Sequence, residues 1–273
     1  MMGMRLHILR YLSPASFLLV LSCITASNVM AQEEMSATPN RPGVADPAEV
    51  TQKGVLEIEY GWERAFRSPE FKSRTAVAGL MRFGLTESLE LRLDMDNYVS
   101  QRSDDPEGRR SGIGETSPGL KYRLLTQDEF RPALAFSYEV KIPTASRKKG
   151  LGSGRVDHHL RFLASKELFD LELEFNYLLG WIGQEGEKGF DDLHLLALSF
   201  SRSLFGPVGI SGEIYGARRL NRQTPGFAST DWAITYTLTP RMVFDAGVDI
   251  GLTSGAADII YFAGVTLALV DFY

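Results

Sequence analysis

From Gly54 onward the apolar residues keep a period of two, and this limits the fold more than any other feature of the chain. Leu56, Ile58, Tyr60 and Trp62 alternate with Glu57, Glu59, Gly61 and Glu63. Leu89, Leu91, Leu93 and Met95 alternate with Glu90, Arg92, Asp94 and Asp96, and Leu134, Phe136, Tyr138, Val140 and Ile142 with Ala133, Ala135, Ser137, Glu139 and Lys141. Two more rows run through Leu171–Trp181 and Met242–Leu252. Successive side chains on a strand point to opposite faces, so each run has one apolar face and one polar or small face. A helical period fits none of these runs as well.

The pattern predicts twelve strands, at about 54–66, 72–83, 88–100, 115–125, 131–142, 155–165, 170–182, 191–203, 208–219, 229–239, 242–253 and 259–272. Strands of this length suit a tilted membrane crossing, where about nine to eleven residues lie in lipid. Short links near Gly84–Glu87, Thr126–Phe130, Lys166–Phe169, Leu204–Pro207 and Pro240–Arg241 alternate with longer ones at Gln101–Gly114, Pro143–Gly154, Gly183–Phe190 and Leu220–Ala228. Transmembrane barrels have short periplasmic turns and longer outer loops, and an even strand count puts both termini in the periplasm. A soluble β-sandwich would alternate too. Against it stand aromatic residues near the ends of the apolar rows (Tyr60, Trp62, Tyr98, Tyr138, Tyr177, Trp181, Trp232, Tyr236 and Tyr261) and a final strand ending in Tyr273. The expectation is an all-β, transmembrane antiparallel barrel over residues 54–273.

The start of the chain reads differently. Arg5, His7 and Arg10 precede an apolar stretch through Phe17–Leu21, and Val29-Met30-Ala31 supplies a cleavage site. Residues 1–31 therefore read as a secretory signal peptide cut before Gln32. Val20-Leu21-Ser22-Cys23 offers a weaker alternative, lipidation at the sole cysteine. Cleavage after Ala31 leaves no thiol chemistry and no disulfide. It also removes Arg5 and Arg10 but no acid, so the mature chain is more acidic than the whole-chain charge of −5. That balance does not favour nucleic acid as a partner. After Ala31 the longest stretch free of Asp, Glu, Lys and Arg is the twelve residues Ile259–Val270. A spanning helix needs about twenty apolar residues. Residues 32–53 carry Pro39, Pro42 and Pro47 and little that could pack, which predicts an extended N-terminal segment.

Several stretches, in order, carry a family resemblance: Thr38-Pro-Asn-Arg-Pro-Gly43, the strand Gly54–Tyr60, Gly112–Tyr122, Val140-Lys-Ile-Pro-Thr144 and the run from Leu238 to Asp258. The chain resembles the outer-membrane transporter-like family of the MetA pathway of phenol degradation, over most of its mature length. It departs from that pattern at Gly43, Glu115 and Asp271. The resemblance implies a barrel that passes small hydrophobic or aromatic compounds, and it brings no catalytic residues with it.

The polar rows supply the candidate functional residues. On the inward face of a barrel, Arg92, Asp94, Asp96, Lys121, Arg123, Glu139, Lys141, Asp157, His159, Arg161, Glu172, Glu174, Asp245 and Asp249 would line the lumen, with Glu57, Glu59 and Arg219 beside them. Such groups either select solutes at close range or pair across strands and fill the interior. A twelve-strand barrel lies between filled eight-strand barrels and open porins. Small inward residues such as Ala133, Ala135, Gly247 and Gly251 suggest space inside. His158 and His159 fall on opposite faces and cannot share one site; Asp157, His159 and Arg161 share theirs. His194 and the serines show no spacing that joins nucleophile, base and orienting group, so an enzyme is not expected. Arg109-Arg110 and Arg147-Lys148-Lys149 could meet lipopolysaccharide phosphates, and Asp104, Asp105 and Glu107 lack a calcium-loop pattern. No phosphate-cradling loop or zinc motif is present, so no cofactor is expected. The reading is an outer-membrane channel for small molecules. Its partners are the solute, outer-membrane lipid and lipopolysaccharide, and the assembly machinery during biogenesis. A closed structural barrel is the alternative and a membrane-embedded enzyme the third.

Overall fold

The computed structural model describes residues 35–103, 108–184, 188–218, 220 and 224–272. The expected signal peptide with Cys23, the acids Asp104, Asp105 and Glu107, and Arg219 and Tyr273 lie outside the described residues. Thirteen strand segments follow one another: β1 (Val55–Phe66), β2 (Ser73–Gly84), β3 (Leu89–Arg102), β4 (Arg109–Gly112), β5 (Thr116–Leu125), β6 (Ala133–Lys141), β7 (Asp157–Leu168), β8 (Leu171–Gly183), β9 (Phe190–Phe205), β10 (Val208–Ala217), β11 (Phe227–Thr239), β12 (Met242–Gly251) and β13 (Ile259–Asp271).

Each segment pairs antiparallel with its neighbours, and β1 closes the ring on β13. Both β4 and β5 pair with β3, at successive heights, so together they form one wall strand. The break between them is stitched by backbone bonds from Gly114 N to Asp96 O and from Asp96 N to Glu115 O, at 2.7 and 2.9 Å. The result is a closed twelve-strand barrel. Closure pairs the strand edges, which lipid requires of any sheet that crosses it. The predicted strands match the observed ones closely. One difference is local: the expected long link Gln101–Gly114 is partly strand, because β3 runs on to Arg102 and turns back into β4.

The alternation fixes which face each residue takes. Along β1 Val55, Glu57 and Glu59 are buried, while Tyr60 and Trp62 are 43% and 44% exposed. The apolar row therefore faces outward and the charged row inward, the reverse of a water-soluble core. At the long-loop end the outer face carries Trp62, Tyr98, Tyr138 and Trp181. At the short-turn end it carries Tyr122, Phe136, Tyr236 and Phe244. Two aromatic bands of this kind suit the two interfaces of a bilayer. The β7–β8 turn is a two-residue hairpin in which Phe169 and Asp170 both take positive φ, 51° and 63°. That backbone matches the right-handed twist of the flanking strands.

Candidate functional site: the lumen and its N-terminal belt

Residues 35–53 do not hang free. They run through the lumen as an extended belt with no regular secondary structure. This corrects the expectation of a segment with little that could pack: Ala45 and Ala48 are 3% and 0% exposed, and Thr51 is fully buried. An extended chain away from a sheet leaves its amides without partners, and a buried amide needs one. Pro39, Pro42 and Pro47 remove three donors outright. Wall side chains take seven of the others. Thr38 N and Oγ1 donate to Glu57, and Asn40 N donates to Glu59 Oε1 at 2.8 Å. Val44 N and Ala45 N each donate to a Glu213 oxygen at 2.7 Å. Asp46 N bonds Asn176 Oδ1, and Ala48 N bonds Ser165 Oγ at 2.7 Å. Thr51 N and Oγ1 donate to Glu90 Oε2 at 2.7 and 2.9 Å. The polar lumenal row is thus the hydrogen-bonding surface for the belt.

Small wall residues make room for it. Ala48 packs against Ala133, Ala135 and Leu163. The space that the alanines suggested is there, and the chain's own belt occupies it. Gly61 and Gly264 face each other across β1 and β13. A Cβ on either would come within 2.1 and 2.3 Å of the Arg41 guanidinium. That guanidinium grips both oxygens of Asp245, at 3.1 and 3.0 Å.

Around the belt the wall cations are all engaged. Arg82 is 1% exposed and reaches Glu57 and Glu59 at 2.7 and 2.6 Å and the Thr38 carbonyl at 2.6 Å. Arg92 meets Asp46 at 2.7 Å and Glu139 at 3.5 Å. Lys121 donates to the carbonyls of Pro47 and Glu49 at 3.1 and 3.0 Å. Arg161 donates to the Val44 carbonyl at 2.8 Å and lies 3.4 Å from Asp46. Burial would raise the Asp46 carboxyl, but the charges of Arg92, Arg161 and Lys121 outweigh it and hold the group well below the usual carboxylate range. A depressed carboxyl adds stability above its unfolded value, and that stability fades only as pH falls towards the folded one. The belt's central anchor is therefore ionised throughout the neutral range.

Across the lumen the picture changes. A cavity of about 960 Å³ opens beside the belt at the short-turn end, bounded by β7–β12. Serines and acids line it, among them Glu172, Glu174, Ser199, Ser201, Glu213 and Asp231. Glu174 accepts from Ser199 Oγ at 2.9 Å and Glu172 from Ser201 Oγ at 3.3 Å. A smaller cavity of about 270 Å³ lies against Arg92, Asp94, Glu139 and Arg161. Asn40, Arg41 and Gly43 border both, so the belt separates them.

The predicted site residues divide accordingly. Arg92, Lys121, Glu139, Arg161 and Asp245 gather on the belt and its ion pairs. Asp94 borders the smaller cavity, with Oδ2 buried and lacking a hydrogen bond. Towards the long-loop end Lys141 pairs with Asp157, whose Oδ1 takes the Gly183 amide at 2.9 Å. There Asp96 lies 3.8 Å from Arg74. His159 sits opposite Glu139 and Gly180 on the neighbouring strands. Glu172 and Glu174 line the large cavity, and Asp249 accepts from the Tyr215 hydroxyl at 2.7 Å. Arg123 differs from the rest: it sits at the rim and donates to the Glu87 carbonyl at 2.7 Å. Sequence reasoning missed Arg82, Glu213, Asp231, Asn176 and Ser165, and placed Glu90 in the charged row without making it a candidate. Each lies on the inward parity of its strand, so strict parity was the signal. His158 and His194 point outward, bonded to the hydroxyls of Tyr138 and Tyr177 at 2.8 and 2.6 Å.

Closed wall, outward apolar row, paired aromatic bands and polar interior define a twelve-strand outer-membrane β-barrel with a segment of its own chain inside. Among solved structures, an outer membrane channel from Pseudomonas putida F1 is similar at 14% identity and TM-score 0.65, covering 84% of this chain and 99% of that one. The NanC porin is similar at 11% identity and TM-score 0.53, covering 78% and 100%. The KdgM porin, solved with disordered oligogalacturonate, is similar at 9% identity and TM-score 0.51, covering 78% and 99%. No curated protein matches in sequence. The model of the family described as "Putative MetA-pathway of phenol degradation" matches residues 39–269, and the chain belongs to that family.

Proposed function

We propose that the barrel is a passive channel for small solutes across the outer membrane, with the short turns and both termini in the periplasm. The observation that carries this reading is the 960 Å³ cavity beside the belt, set within a closed transmembrane wall. A polar, partly filled lumen passes molecules by diffusion and calls for no reaction step. We read the chain as a non-enzyme: His158 and His194 are held by tyrosine hydroxyls on the outer face, away from the serines and acids of the lumen. The family description makes a phenolic compound the first solute to test. Lipid meets the aromatic bands, and Arg109, Arg147, Lys148 and Lys149 stand at the long-loop end, where lipopolysaccharide phosphates would lie.

The closed structural barrel is the second reading. It is favoured by one observation, that Asn40–Gly43 separate the two cavities. Purified protein in planar bilayers and in phenol-uptake liposomes decides between them. The channel reading expects stepwise current or faster phenol entry than in empty liposomes. It also expects an altered cation-to-anion ratio on changing Asp94 and Asp96 to Asn, since fixed charges act strongly in a narrow pore. A folded preparation that passes neither ions nor phenol contradicts it.

A further inference from the structure

Three carboxylates stand side by side on the inner wall. Asp231 on β11 is directly opposite Glu213 on β10 and Asp249 on β12. All three are buried, at 5%, 5% and 3% exposed. Opposed residues on neighbouring strands have Cβ atoms about 5 Å apart, and like charges there repel. On the opposite side of this lumen Glu57, Glu59 and Glu90 are each met by Arg82 and by a belt amide. Glu213 has the amides of Val44 and Ala45. Asp249 has the Tyr215 hydroxyl on Oδ2, while its Oδ1 is buried with no partner. Asp231 has no hydrogen bond and no ion pair among the described residues. Arg41, one of the cations that border this cavity, has Nε and Nη2 committed to Asp245.

Asp231 is 5% exposed, and an acid so buried and unpartnered is costly as a carboxylate unless a proton or a cation answers it. Asp231 faces the inner end of the large cavity, beside Glu213 and Ser211. The Ser211 hydroxyl is also buried without a partner. Open space, two carboxylates and a spare hydroxyl meet at one spot. Among the described residues no group of three His, Cys, Asp or Glu is compact enough to hold a metal ion. Acceptors spread over neighbouring strands suit a group with several diverging donors, and an ammonium has three and no acceptor.

We propose that the inner end of the short-turn cavity binds a protonated primary amine, its ammonium held between Asp231 and Glu213 with Ser211 as a third acceptor. The site goes beyond passive passage: binding requires only that the cavity admit the amine from the short-turn end.

Calorimetric titration of detergent-solubilised full-length protein at pH 7.5 with n-butylammonium chloride tests it, with tetramethylammonium, butanol and magnesium chloride as parallel titrants. Saturable one-site binding of butylammonium is expected, with tetramethylammonium and butanol far weaker. Asp231→Asn weakens it about 30-fold or more, the usual scale for removing one member of a buried charge pair. Glu213→Gln, which keeps an acceptor for the belt amides, weakens it too and serves if Asp231→Asn does not fold. Glu70→Gln, at an exposed loop acid, leaves it unchanged. Absence of saturable butylammonium binding, binding indifferent to both lumenal variants, or magnesium binding in place of amine binding overturns the proposal. A protein that binds the amine yet passes no solute keeps this site and loses the channel reading.

Discussion

Two walls of one lumen invite comparison. On the β1–β7 side Arg82, Arg92, Lys121 and Arg161 interleave with Glu57, Glu59, Glu90 and Glu139, and the belt fills the space between them. On the β10–β12 side Glu213, Asp231 and Asp249 stand in a row with no lysine or arginine among their inward neighbours, and a cavity lies alongside. Both walls come from the same kind of alternating strand. They differ in the sign of the inward charges, and that decides where the belt can dock. A buried ion costs several kcal/mol unless charge and hydrogen bonds answer it. The mixed-sign wall supplies those answers to a chain that brings carbonyls, amides and Asp46. The acidic wall offers acceptors, so it takes belt amides at Glu213 and the Arg41 guanidinium at Asp245, and Asp231 beside them faces open space.

The largest expected contrast comes from deleting one charge on each wall. Arg82→Met leaves Glu57 and Glu59 buried without their cation and should destabilise the barrel by about 3–5 kcal/mol. Asp231→Asn relieves repulsion and should change stability by less than about 1 kcal/mol, in the stabilising direction. Urea unfolding in lipid vesicles reads both. Equal losses would break the comparison, since they would mean that the acidic row is as well compensated as the mixed one. A smaller contrast tests packing. Ala48→Leu pushes three extra carbons into Ala133, Ala135 and Leu163 and should cost about 1–3 kcal/mol. Ser201→Leu, beside the cavity, should cost less than Ala48→Leu. If Ala48→Leu is the milder change, the belt is not packed as described.

Much of this was legible in the sequence. A period of two with an apolar row and a charged row fixes strand number, closure and facing, because a one-residue slip would turn every charge into lipid. Leu91 and Arg92 are enough to orient β3. The belt was not legible. Thr38–Thr51 has no period, and Pro39, Pro42 and Pro47 resemble those of a linker; only the matching of its amides to Glu57, Glu59, Glu90 and Glu213 on distant strands shows where it goes. The candidate site was half legible for the same reason. Parity placed Arg92, Lys121 and Arg161 inward, but their partners lie in the belt, far away in sequence. Arg82 was hidden in β2, where Leu80, Met81 and Phe83 blur the alternation.

The central claim is that the belt covers one wall and leaves the other open, and thiol labelling reads it directly. In a background with Cys23 replaced by serine, Ala135→Cys sits beneath the belt, where Ala135 is 3% exposed, and Ser201→Cys borders the cavity. With a small charged methanethiosulfonate added to folded protein, Ser201→Cys should label fast and Ala135→Cys slowly, and removing residues 38–51 should make Ala135→Cys fast as well. Equal labelling of the two cysteines in the intact chain would contradict the account.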